Sequence, residues 1–135
     1  IAAADVGATA VIVSNHGGRQ LDGASPTIDL IADIADATGD RIELILDGGV
    51  RRGSHIVKAL AMGATACMIG RPYLYGLAAH GQKGVRRVLE LLRGETERTM
   101  ALVGCASLGD LSREHIRLAE TAPTFLTRRA DHMAR

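Results

Sequence analysis

The chain has 135 residues, 47% hydrophobic and 23% charged, with a formal net charge of +1. That length carries one domain with a real core, and the balance is that of a globular protein. The near-neutral charge gives no footing for general nucleic-acid binding, and 2% aromatic content leaves no platform for stacking bases.

Three short apolar runs read as buried strands: Ala10–Ser14, Ile42–Asp47 and Ala66–Gly70. Helical patterns lie between them. Thr27–Thr38 sets Ile28, Ile31, Ile34 and Ala35 on one face, with Gly39 as a stop. Ser54–Met62 groups Ile56, Val57, Leu60 and Ala61, with Ser54 as the expected cap and Gly63 as the end. Gly7-Ala8-Thr9-Ala10 recurs as Gly63-Ala64-Thr65-Ala66, each leading into a strand. After Arg71 the pattern is helical: a short helix over Pro72–Ala79, then a long one over Gly84–Val103. Val85, Val88, Leu89, Leu92, Thr96, Thr99 and Met100 form the long helix's expected inner stripe. A short segment, Ser107–Ile116, follows, and the Arg-rich stretch from Thr121 to Arg135 is expected to be poorly ordered.

Alternating strands and helices imply right-handed crossovers and a parallel α/β sheet. Three strands cannot close a barrel, which takes about eight strands and about 250 residues. A free three-stranded parallel sheet would expose both edges. The expectation is therefore part of a larger (β/α) barrel. Cys67 and Cys105 show no metal-binding spacing and read as reduced thiols, with Cys67 a core residue. Met62, Met68 and Met100 read as apolar fillers. His55, His80, His115 and His132 read as surface histidines. No metal site is expected. No run approaches the roughly 18 apolar residues of a membrane span, and no signal peptide is visible.

Chemistry concentrates at the ends of the three strands. Ser14-Asn15-His16-Gly17-Gly18-Arg19 follows the first one. An imidazole there can take a proton near neutral pH. The planar fork of Arg19 suits a carboxylate. A base and a carboxylate clamp this close are what oxidation of a 2-hydroxy acid needs; a histidine and an arginine in an ordinary glycine loop is the plainer alternative. Asp47-Gly48-Gly49-Val50-Arg51-Arg52-Gly53 follows the second strand and opens a helix, and Gly70-Arg71-Pro72 does the same after the third. Such turns suit an anion, and in barrels a phosphate commonly sits after the seventh and eighth strands. Arg52 reads as solvated.

SNHGGRQLDG, LDGGVRRGSHIVKALAMGA and MIGRPYLYGLAAHG, in that order and spacing, resemble the FMN-dependent α-hydroxy-acid dehydrogenase family, which includes glycolate oxidase, mandelate dehydrogenase and flavin-dependent lactate dehydrogenases. The resemblance covers residues 1–118, leaving 119–135 as a tail. It implies the C-terminal part of a (β/α)8 barrel, supplying its sixth to eighth strands, and FMN as cofactor. By resemblance, His16 is the catalytic base, Arg19 binds the substrate carboxylate and Ser14 contacts the flavin. Asp47, Gly48, Gly49, Val50 and Arg51, with Gly70 and Arg71, match the site for the ribityl phosphate. Asp22 matches a family position with only a loop-stabilising role. The implied reaction takes an (S)-2-hydroxy acid to a 2-oxo acid and passes electrons to oxygen, a quinone or a cytochrome. A homo-oligomer in the cytoplasm, or peripheral to the inner membrane, is implied too.

The family's flavin-stabilising lysine, its histidine-partnering aspartate and its substrate-touching tyrosine belong to the barrel's first half and have no counterpart here. Lys58 and Lys83 lie on predicted helices and do not replace the lysine. The 135 residues alone are thus expected to bind FMN weakly and to turn over little. Rival readings are another phosphate-binding barrel enzyme, which has no need of His16 and Arg19 together, and a non-catalytic half-barrel module for phosphate binding or assembly. A family branch that modifies a peptide-derived cofactor ranks lower, because it lacks the pair seen at Arg19 and Gln20.

Overall fold

The structure, a computed structural model, describes residues 1–117. A single turn of helix, α1 (Ala2–Asp5), leads into β1 (Ala10–Ser14). Then come α2 (Ile28–Thr38), β2 (Glu43–Asp47), α3 (Gly53–Ala61), β3 (Ala66–Cys67) and α4 (Arg71–Val103). The strands form one parallel sheet in the order β1-β2-β3. β1 has the expected bounds. β3 is shorter than the expected Ala66–Gly70, since its ladder pairs only Ala66 and Cys67 with β2. α1 had no counterpart in the sequence reading.

The period of two along each strand sorts the side chains. Val11, Val13, Leu44, Leu46 and Cys67 face α2 and α3, where Val13, Ile31, Leu46, Val50, Ala59, Met62 and Ala64 make the main core. Ile31 is wholly buried, and truncating such a side chain to alanine costs about 2–5 kcal/mol. The other face carries Ile12, Ile45 and Ala66 in register, and Ile12 stands 53% exposed. That face corresponds to the inside of a barrel.

α4 is broken at His80 and Gly81, so it comprises the short and the long helix expected. The two pieces cross at buried glycines: a β-carbon on Gly84 would fall 1.8 Å from the Gly76 carbonyl oxygen. The long piece lies on α3 just as closely. A β-carbon on Gly53 would fall 2.2 Å from the Thr96 nitrogen. A second cluster of Val57, Met100 and Cys105 ties α3 to the end of α4. Leu92 and Met100 are buried as expected, but Leu89 is 54% exposed: it lies about two turns before Thr96, where Gly53 begins α3, so α3 does not reach it. Ser54 makes no cap for α3; the Glu95 Oε2 accepts the Gly53 N–H at 2.8 Å instead.

Residues 107–116 form two short turns rather than a helix. Arg113 holds them to α2 through Asp36, at 2.7 and 2.9 Å, and through the Ala32 carbonyl. His115 departs from the surface reading, with its Nε2 standing 3.2 Å from the Cys105 sulfur. Its Nδ1 stands 3.1 Å from the Ser112 nitrogen, so the ring bridges the second turn and Cys105. The pair fastens the 107–116 turns to the end of α4. Both cysteines are free. Burial pushes the Cys67 thiol up to about 11, as befits a core residue. Among the described residues, no helix is long and apolar enough to cross a membrane, and no group of side chains is placed to hold a metal. The expected tail, 119–135, lies outside the described residues.

Candidate active site

In parallel register, Ser14 ends β1 opposite Asp47, which ends β2. The Ser14 hydroxyl donates to Asp47 Oδ2 at 2.6 Å and accepts the His16 N–H at 3.1 Å. Ser14 does not line the cleft described below; its hydroxyl is spent beneath it. The next residue, Asn15, accepts the Gly17 N–H on its Oδ1 at 3.0 Å. Between these two anchors His16 has φ +52, the one non-glycine among the described residues in the left-handed region. A β-carbon there costs about 1–2 kcal/mol, and the two hydrogen bonds that bracket the residue hold it in place. The imidazole is exposed.

The same end of the sheet opens a cleft of about 810 Å³. It is lined by His16, Gly17, Arg19 and Gln20 from the first strand end, and by Asp47–Arg51 from the second. Met68, Gly70, Arg71, Pro72, Leu74 and Tyr75 close the third side. All expected site residues except Ser14 therefore meet in one place. Val50 contributes only backbone, since its side chain is buried in the core. Met68 is not buried filler: it is 44% exposed and forms cleft wall.

The cleft is cationic. Arg19, Arg51 and Arg71 make no ion pair among the described residues, whereas Arg52 binds Glu95 at 2.9 Å and is spoken for. Arg71 reaches back across the His16 turn; a β-carbon on Gly17 would fall 3.2 Å from its Nη2. Gly48 has φ +109, and a β-carbon on it would fall 2.7 Å from Asn15 Oδ1, so only glycine fits there.

The anion-binding part differs from the expectation in one respect. The N-terminus of α3 is not open, because the Glu95 carboxylate already occupies it. That contact, with Arg52 second, holds the Glu95 carboxyl below its ordinary value. The Arg51 N–H is also engaged, by His55 Nδ1 at 3.3 Å. What remains for an anion is the Arg51 and Arg71 guanidinium groups and the start of α4, whose Gly70 cap offers no side chain to its first amides. A dianionic phosphate fits this donor set.

Sequence reasoning missed Asn15, Thr27 and Glu95. Thr27 is 4% exposed and its hydroxyl reaches the Gly48 carbonyl at 3.4 Å. Asn15 had a signal in its place beside His16 at a strand end. Glu95 had none, lying 42 residues from its partner.

Residues 1–118 match the family of FMN-dependent dehydrogenases. This chain belongs to that family. It is 50% identical over 115 residues to a peroxisomal (S)-2-hydroxyacid oxidase of Arabidopsis thaliana, covering 85% of this chain and 32% of that protein. It is 51% identical over 116 residues to an L-lactate oxidase of a Nostoc species, covering 86% and 32%. A pre-mycofactocin synthase of Mycolicibacterium smegmatis is 52% identical over 118 residues, covering 87% and 30%. Among solved structures, mandelate oxidase with benzoyl-formic acid superposes with a TM-score of 0.80 at 49% identity, covering 83% of this chain and 33% of that one. The chain thus spans about a third of the length of the relatives it matches. The three parallel strands with their helices are part of a (β/α)8 barrel of this family.

Proposed function

We propose that the chain serves FMN-dependent oxidation of an (S)-2-hydroxy acid to the 2-oxo acid, as the C-terminal part of a barrel whose other strands complete the flavin site. The observation that carries this reading is the meeting of His16, Arg19, Arg51 and Arg71 in one cleft at the C-terminal end of the sheet. Arg51, Arg71 and the start of α4 would hold the FMN phosphate, with Asp47 lining the same cleft and the Gly48–Gly49 turn leaving room for close approach. When bound, FMN supplies the two-electron acceptor. Arg19 clamps the substrate carboxylate, which fixes the α-carbon and its hydroxyl relative to His16. His16 takes the hydroxyl proton and holds it as imidazolium, next to the anion that Arg19 has fixed. Ser14 supports both through Asp47 and the His16 amide. The oxidase names of the relatives favour oxygen over a quinone or a cytochrome as the final acceptor.

A second reading is favoured by one observation. Identity to the pre-mycofactocin synthase is as high as to the oxidases, so overall likeness does not separate the two. The presence of Arg19 in the cleft supports a small free carboxylate over a peptide-derived substrate. The test is loss of flavin absorbance on mixing the FMN-loaded complete barrel, with this chain as its C-terminal part, with glycolate, lactate or mandelate under nitrogen. His16→Ala should abolish that bleaching while flavin stays bound. Release of flavin from an otherwise folded variant would show that His16 has been given the wrong role, and bleaching by a peptide-derived substrate alone would favour the second reading.

A further inference from the structure

Asn15 lies behind the cleft rather than in it, yet it touches two of the three segments that build it. Its Oδ1 accepts the Gly17 N–H at 3.0 Å, one residue beyond the base. Its Nδ2 stands 3.5 Å from the carbonyl of Ser25, at the far end of the loop that carries Arg19. Its Oδ1 also lies against Gly48, where a β-carbon would come within 2.7 Å. One amide group therefore joins the turn of His16, the loop of Arg19 and the 47–51 loop.

The need for such a group is visible in the backbone. His16 at φ +52 would relax toward the right-handed region if it could. Ser14 restrains the turn on its N-terminal side by accepting the His16 N–H, and Asn15 restrains it on the other by accepting the Gly17 N–H. Without the second restraint the turn can unwind, which swings the imidazole away from the carboxylate held by Arg19. We propose that Asn15 is a positioning residue for the oxidation: through the Gly17 amide it sets His16 in reach of the substrate, without touching substrate or flavin. This rests on the assignment of His16 as the base.

The test compares Asn15→Ala and Asn15→Asp in the FMN-loaded complete barrel. Asp keeps an acceptor for the Gly17 N–H; Ala keeps none. In Asn15→Ala the Gly17 amide should exchange with solvent deuterium about fivefold faster or more, the worth of one ordinary hydrogen bond. The rate of flavin reduction by substrate should fall about 10- to 100-fold, as for a displaced reacting group. Flavin affinity should stay within about twofold, because Asn15 makes no contact with the arginines that hold the phosphate. Asn15→Asp should recover most of the amide protection and most of the rate. Unchanged exchange at Gly17 in Asn15→Ala would overturn the proposal whatever the rate. Faster exchange with an unchanged rate would overturn it as well, and so would parallel loss of rate and flavin affinity. If Asn15→Ala does not fold, Asn15→Asp decides: an intact rate with Gly17 still protected supports the acceptor's role, and a lost rate overturns it. If the unsubstituted protein bleaches with no 2-hydroxy acid, the functional assignment fails separately, and the exchange arm still upholds or overturns the hold of Asn15 on the turn.

Discussion

His16 sits in a conformation that its β-carbon disfavours, and that makes the turn a place where function opposes stability. Replacing His16 by glycine should therefore stabilise the protein relative to replacing it by alanine. Both changes remove the same exposed imidazole, so its contacts cancel and only the backbone differs. A β-carbon in the left-handed region costs about 1–2 kcal/mol. Glycine returns about 0.5–1 kcal/mol of that through the greater freedom of its unfolded chain. The balance favours glycine by about 0.5–1 kcal/mol. With a urea dependence of about 1–3 kcal/mol per molar, the unfolding midpoint of His16→Gly should lie roughly 0.2–1 M above that of His16→Ala. Neither variant should reduce flavin. A glycine variant no more stable than the alanine one would show that residue 16 is not held at positive φ in solution, and the account of a braced turn would fail with it.

Gly53→Ala should cost about 1–3 kcal/mol or more in thermal unfolding, because its new methyl group would meet the Thr96 nitrogen at 2.2 Å where α3 and α4 touch. Arg71→Gln should weaken FMN binding about tenfold or more by removing a charge-assisted bond, read by quenching of flavin fluorescence, while Arg52→Gln leaves it unchanged because Arg52 serves Glu95. Acid should destabilise the fold through Glu95, Asp36 and Asp110, whose carboxyls are all held below their ordinary values of 4.5 for Glu and 3.8 for Asp. A lowered carboxylate contributes fully above its ordinary value and is lost as pH falls through the folded one, so urea midpoints should fall below about pH 4.5, and less steeply in Glu95→Gln. With its thiol pushed up to about 11, Cys67 should resist alkylation at pH 8 in the folded protein and react readily in urea.

The sequence by itself determined what depends on near neighbours. A short apolar run placed β1 residue for residue, Gly39 marked where α2 stops, and the strand-end motifs held nearly every cleft residue. Only the tertiary structure decided what crosses the chain. Glu95, 42 residues from its partner, takes the Gly53 N–H at the start of α3, a contact that no turn motif announces. Leu89 fits the inner stripe of its own helix, yet it is exposed because α3 begins opposite Thr96, about two turns further on. The hydrogen bond from the Ser14 hydroxyl to Asp47, 33 residues away, is likewise delivered by the pairing of two strand ends. Periodicity and turn chemistry are set within a few residues and can be read along a line. Which hydrogen-bonding group is already satisfied depends on the partner that folding delivers from elsewhere, and no local pattern records it.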